Sequence, residues 1–219
     1  MIIVSGGIKG GTGKTTVATN LAIIRANSGK DVLLIDADSP QFTATGFTQL
    51  RNDTREKGSG YTSIQLTGKS VRNETQRLSS KYDDIIIDVG GRDSTSQRAA
   101  LTIANVFLVP FMPRSFDVWT IKEDSELVSE VRPVNPNLKA YTFLSKADPR
   151  GHDNEDSAEV LREAEELQFI EAPLVFRKAF GNAAGQGLSV VELKPEDPKA
   201  SEEIMTLYNL IFDSKIESF

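Results

Sequence analysis

Lys9-Gly10-Gly11-Thr12-Gly13-Lys14-Thr15-Thr16 follows within five residues of the apolar run Met1-Ile2-Ile3-Val4, and the reading of this junction decides the fold. A short apolar run that breaks into glycines and resumes in helix-compatible residues is a strand, a turn and a helix, with main-chain N–H groups converging on an anion at the helix start. Gly10, Gly11 and Gly13 can take backbone conformations closed to other residues, so successive N–H groups can turn inward with no side chain in the way of a phosphate. Lys14 has the reach for terminal phosphates, and Thr15 offers its hydroxyl to a magnesium ion bridging them. Thr12, inside the loop, and Thr16, at the inner phosphate, complete the expected nucleotide contacts. The strict pattern G-x-x-x-x-G-K-[ST] calls for glycine at position 8, where this chain has Ile8. A second lysine, Lys9, stands at the loop entrance.

Beyond the loop the chain alternates between two periodicities. Short Ile-, Leu-, Val- and Phe-rich runs at 2–5, 32–36, 84–89, 105–110, 139–145 and 173–176 predict strands, each ending in glycine, aspartate or proline. Helical spacing at 15–28, 93–104, 116–131, 155–168 and 197–213 predicts the crossovers, with Ile204, Leu207, Tyr208 and Ile211 as one apolar stripe. Residues 51–81 are polar and predict a loop with one short strand and a helix. Repeated strand–helix units imply an α/β fold of the P-loop NTPase kind: a mostly parallel twisted sheet, right-handed crossovers and helices on both faces. Its ligand belongs at the carboxyl ends of the strands.

Composition bounds the rest. At 219 residues, 39% hydrophobic and 26% charged, the chain suits a single domain over 1–219 with one sizeable core. Without a cysteine it has no disulfide framework, which predicts a cytoplasmic setting, and no thiolate ligands for an iron–sulfur cluster. Neither a leader nor an 18-residue apolar stretch is expected. The net charge of −6 argues against coating nucleic acid by bulk charge and leaves room for a local basic patch.

The lysine-bearing loop resembles the signature K-G-G-x-G-K-[ST] of the deviant phosphate-loop ATPases of the ParA/MinD type. Val32-Leu33-Leu34-Ile35-Asp36-Ala37-Asp38-Ser39-Pro40-Gln41 is similar to the strand of that family ending in D-x-D-P-Q, with a serine inserted before the proline. Asp84-Ile85-Ile86-Ile87-Asp88-Val89-Gly90-Gly91 resembles its second magnesium-site strand. The resemblance covers the first half of the chain well and the second half loosely. It implies ATP and Mg2+ as cofactors, with Thr15, Asp36 and Asp88 serving the metal, Asp38 positioning the attacking water, and Lys9, Lys14 and Asp38 carrying catalysis. Lys9 would reach across an ATP-sandwiched homodimer to the phosphates of the other subunit.

By residue type alone, Asp88 could instead cap a helix, Asp38 could form an Asp-Ser-Pro turn, and Lys9 could simply be solvated. Leu144-Ser145-Lys146-Ala147-Asp148 is similar to the [NT]-K-x-D guanine reader of related GTPases, so Lys146 is a candidate base contact and GTP remains an alternative to ATP.

The short ParA-type members imply nonspecific DNA binding in the ATP state, with nucleoid association and a separate site-specific DNA-binding or adaptor protein that stimulates hydrolysis. Arg177, Lys178, Lys194 and Lys199 are the candidate DNA contacts, against the reading of each as a solvated lysine or arginine. A MinD-like membrane helix is disfavoured, because the last twenty residues hold one lysine against four acidic residues. A dethiobiotin-synthetase-like ligase is the alternative small-molecule function, and a nonhydrolysing nucleotide-binding regulator a third. His152 reads as a loop residue; Trp119 with Phe116, Val118 and Ile121 reads as helix packing, with contact to a dimer partner after the Pro113 loop as the alternative; and Arg92, Asp93 and Arg98 form a switch or cap the helix that follows.

Overall fold

The computed structural model describes residues 1–92, 94–113, 118–149 and 153–213. Asp93, Phe116, the side chain of Val118, and His152 lie outside the described residues. Strands β1 (Ile2–Ser5), β2 (Val32–Asp36), β3 (Thr62–Gln65), β4 (Asp84–Asp88), β5 (Val106–Phe111), β6 (Lys139–Ala147), β7 (Gln168–Phe169) and β8 (Leu174–Val175) form one sheet. Its order is β3-β2-β4-β1-β5-β6-β7, with β8 also pairing β6, and every described pairing is parallel.

Parallel strands need long crossovers, and helices supply them. These are α1 (Lys14–Asn27), α2 (Thr43–Thr54), α3 (Ser70–Leu78), α4 (Thr95–Leu101), α5 (Val118–Val131), α6 (Asp153–Arg162), α7 (Lys178–Ala184) and α8 (Pro198–Phe212).

Side-chain alternation along the strands builds two apolar layers. Ile3, Leu34 and Ile86 face one way and pack with α1, α7 and α8. Val4, Leu33, Ile35, Ile85 and Ile87 face the other and pack with α4, α5 and α6. Ile85, Ile86 and Ile87 are at most 1% exposed, each burial being worth roughly 1.5–3 kcal/mol. The α8 stripe of Ile204, Leu207, Tyr208 and Ile211 is buried against the domain, as its spacing predicts.

Four elements depart from the sequence reading. Helix α2 begins at Thr43 and runs into the stretch read as a polar loop; among its residues only Ala44, Thr48 and Arg51 are buried, so no apolar stripe announces it. The helix read as 155–168 ends at Arg162, and β7 takes its last residues. Helix α7 and the two-residue strand β7 are too short for a periodic signal. Trp119 also corrects its reading as helix packing: it is 82% exposed, while Ile121 is buried.

Candidate functional site

Strands β1, β2 and β4 end side by side, and their last residues begin the site. Ser5 lies opposite Asp88, and Asp36 lies opposite Asp88 on its other side. From Ser5 the chain turns through Gly6 to Gly13 and enters α1 at Lys14. Gly7, Gly11 and Gly13 hold φ of 127°, 77° and 101°, the region that glycine alone enters freely. Gly91 is required for another reason. A side chain on Gly91 would meet the Gly10 Cα at 2.5 Å and its N at 2.6 Å, so the two loops touch through bare backbone.

Helix α1 has no side-chain cap and no acidic residue in its first turn, which leaves its leading N–H groups open to an anion. Two lysines, one from the loop and one from the end of β6, tie down loop carbonyls. Lys14 Nζ donates to the Lys9 carbonyl at 2.5 Å, and Lys146 Nζ donates to the Gly11 carbonyl at 2.6 Å. Lys14 is buried, and burial lowers its pKa against the pull of Asp88, Asp124 and Asp38.

Thr15 Oγ1 donates to Asp88 Oδ2 at 2.7 Å, while Asp88 Oδ1 is buried and unpartnered among the described residues. Burial pushes the Asp88 carboxyl up to about 8, opposed by the Thr15 hydroxyl and reinforced by Asp36 and Asp38. A buried orphan oxygen beside a threonine hydroxyl fits a hard cation that keeps water and phosphate ligands. Among the described residues there is no cluster of three or more acidic, histidine or cysteine ligands.

Asp36 is fully buried with both oxygens engaged. Oδ1 accepts from Asp38 N at 3.2 Å, and Oδ2 accepts from Thr45 N at 2.7 Å and from the Thr45 hydroxyl at 2.9 Å. Its part is therefore to hold the Asp38 loop and the first turn of α2 beside Asp88. Asp38, half-buried, packs against Gly90, and burial followed by the Asp36 charge raises its pKa.

Two adjoining cavities open here. One of about 410 Å³ is lined by the loop glycines, Lys14, Thr15, Thr16, Asp38, Arg92 and Lys146. The second, about 330 Å³, shares Gly13, Thr16 and Lys146 and is otherwise mostly apolar, walled by Leu174, Val175, Phe176 and Phe180. Polar beside apolar, the pair has the division of a nucleotide into phosphates and base. Asp148 lines neither cavity; its N–H is taken by Asn154 Oδ1 at 3.0 Å, so the expected partner of Lys146 in guanine reading stands apart.

The proposed DNA contacts divide. Arg177 and Lys178 line the apolar cavity, and Arg177 NH2 pairs with Glu203 Oε1 at 2.6 Å, so its charge is already met. Lys194 and Lys199 are exposed and line neither cavity. Arg92 lines the phosphate cavity, Arg98 pairs with Glu130, and the cap of α4 is Ser94, whose Oγ accepts from Gln97 N at 3.1 Å.

Four supporting residues escaped the motif reading. Gln97 Oε1 accepts from Gly7 N at 3.1 Å, and Asp124 Oδ1 accepts from Ile8 N at 2.9 Å. Asn20 Nδ2 donates to the Thr16 carbonyl, and Asn20 Oδ1 accepts from Ser189 Oγ at 2.7 Å and Val190 N at 2.9 Å. Arg51 NH1 and NH2 grip both oxygens of Glu192 at 2.7 and 2.9 Å, which joins α2 to the segment after α7. One signal was available: Ile121, Asp124, Leu127 and Val131 share a helical stripe, so Asp124 occupies an inward position.

A glycine-rich loop between β1 and α1, with a magnesium-type Thr–Asp pair behind it, defines a phosphate-loop nucleotide-binding domain. The family model of the CobQ/CobB/MinD/ParA nucleotide binding domain matches residues 2–190, and the chain belongs to that family. Within it the chain is a nucleotide-binding ATPase domain of the ParA/MinD type. The maintenance of carboxysome distribution protein A of Halothiobacillus neapolitanus is 24% identical over 213 residues, covering 94% of each chain. The solved ATP complex of a Cyanothece McdA variant superposes with a TM-score of 0.78 at 18% identity, over 96% of this chain and 95% of that one. MinD of Pyrococcus horikoshii with Mg-ADP gives 0.73 at 17% identity, over 99% and 98%.

Proposed function

We propose that this chain is a positioning ATPase: it dimerises around ATP and magnesium, binds double-stranded DNA without sequence preference in that state, and is reset when a separate adaptor protein stimulates hydrolysis. The observation that carries the reading is the pair of adjoining cavities, polar beside apolar, that Gly13, Thr16 and Lys146 line in common. Lys14 and the loop N–H groups hold the phosphates, the apolar cavity takes adenine, and Thr15 with Asp88 holds the metal. Magnesium, when bound, neutralises phosphate charge. Asp38, on the cavity wall, orients the attacking water, and the Lys9 of each subunit meets the phosphates of the other as charge develops there.

Adenine is preferred to guanine because Asp148 lies off both cavity walls. The similarity to a carboxysome distribution protein supports a cargo that is carried rather than chemically altered. Lys194 and Lys199, exposed and off both cavity walls, remain the DNA candidates; Lys178 lines the apolar cavity and Arg177 is spent on Glu203. Among the described residues no helix is long and apolar enough to cross a membrane, and the apolar stripe of α8 is already buried in the domain.

Retention of the protein on nonspecific duplex DNA, measured without nucleotide and with ADP, ATP or GTP plus magnesium over a salt series, tests the reading. Retention only with ATP, falling steeply with salt, is the expected result. Retention that ignores the nucleotide, or none at all, overturns the DNA-carried reading.

A further inference from the structure

The approach to the phosphate loop is held from below by two helices. The N–H groups of Gly7 and Ile8 are adjacent in sequence, and each is taken by a buried side chain: Gly7 by Gln97 of α4 and Ile8 by Asp124 of α5. A Cβ placed on Gly7 would lie 3.5 and 3.6 Å from the two Asp124 oxygens and 3.2 Å from Val109 Cγ1, so the carboxyl group sits flush against this peptide. Asp124 is 3% exposed and stands in the apolar stripe of α5 between Ile121 and Leu127. A carboxyl group at such a position costs stability that an aliphatic residue would not. Burial pushes it up to about 7, exceeding the opposite pull of the Ile8 N–H and of Lys14.

We propose that Asp124 is a positioning residue for the nucleotide reaction. By accepting the Ile8 N–H it fixes the peptide that leads into Lys9, whose carbonyl meets Lys14 Nζ. What matters is an acceptor oxygen at that point, which the carboxyl group offers whether protonated or ionised. The proposal rests on the nucleotide-binding reading of the loop and is independent of DNA binding.

The test compares wild type with Asp124→Asn, which keeps the acceptor and removes the charge, and with Asp124→Leu and Asp124→Ala, which remove both. ADP affinity by calorimetry, kcat and KM for ATP, and the thermal midpoint without nucleotide are measured for each. The Asn variant is expected within a few-fold of wild type in affinity and turnover. The apolar variants are expected to keep or raise the midpoint while losing about tenfold or more in affinity and kcat/KM, since a loop displaced by a fraction of an ångström is costly. An apolar variant that binds and turns over as wild type overturns the proposal. So does an Asn variant as impaired as the Leu variant, because the acceptor would then not be what counts. Failure of both apolar variants to fold also overturns it, assigning Asp124 to the fold instead. Wild type that binds neither ADP nor ATP would remove the nucleotide reading itself, a failure distinct from the others.

Discussion

Asp36 and Asp88 face each other across β2 and β4 as register partners at the last residue of both strands, and neither is exposed to solvent. Burial, with the neighbouring Asp36 charge adding to it, raises the cost of ionising Asp88.

That cost gives a pH signature. The folded carboxyl groups of Asp88, at about 8, and Asp124, at about 7, bind protons more tightly than in the unfolded chain. The native state therefore holds extra protons above about pH 4, and these two groups make stability fall as pH rises through that window. Denaturant titrations of the nucleotide-free protein between pH 5 and 8 are expected to show the fall. Asp88→Asn should flatten part of it and raise stability at pH 8 by about 1–2 kcal/mol while abolishing magnesium-dependent turnover.

The two loop lysines should separate by function. Lys14→Ala is expected to lose nucleotide binding, because Lys14 is the buried cation at the phosphate cavity. Lys9→Ala should bind nucleotide yet lose about 100-fold or more in turnover, and its residual rate should not depend on protein concentration. Equilibrium binding and single-subunit rates over a dilution series distinguish the two.

Gly91→Ala tests the close approach of the two loops. Its Cβ would also meet the Lys9 carbonyl carbon at 2.9 Å, so main chain must move. The expected cost is about 1–3 kcal/mol in stability and about 100-fold in kcat/KM, read by thermal unfolding and steady-state rates.

Arg51→Met probes the join between α2 and the segment after α7. Arg51 is 3% exposed, and its loss leaves the exposed Arg55, at 3.2 Å, as the ion-pair partner of Glu192 among the described residues. A cost of about 3–5 kcal/mol in denaturant unfolding is expected. Burial works to raise the Glu192 pKa, but hydrogen bonds from Arg51 and the Ser189 N–H hold it below the usual carboxylate value. Its contribution is thus present above the unfolded pKa and lost as pH falls through the folded one, and the variant should lose that acid sensitivity.

What the sequence revealed followed from chemistry that admits few substitutes. Gly13, Lys14, Thr15 and Asp88 come together in space as their strand-end positions imply, and the buried strands are legible because doubly covered strands are continuously apolar. Helix α2 was not legible, since its inward residues include Thr48 and the ion-paired Arg51. Asp124 and Gln97 were hidden differently: each is a polar residue on the inner side of a helix, and what it meets there is a backbone N–H that no pattern of side chains records.

Glu192 holds Arg51 of α2 directly and reaches Asn20 of α1 through Ser189, so the wall behind the apolar cavity and the loop bearing Asp38 hang from one carboxylate. Two helices from the first quarter of the sequence are thereby tied to a single acidic side chain near its end, so one substitution there would uncouple both at once.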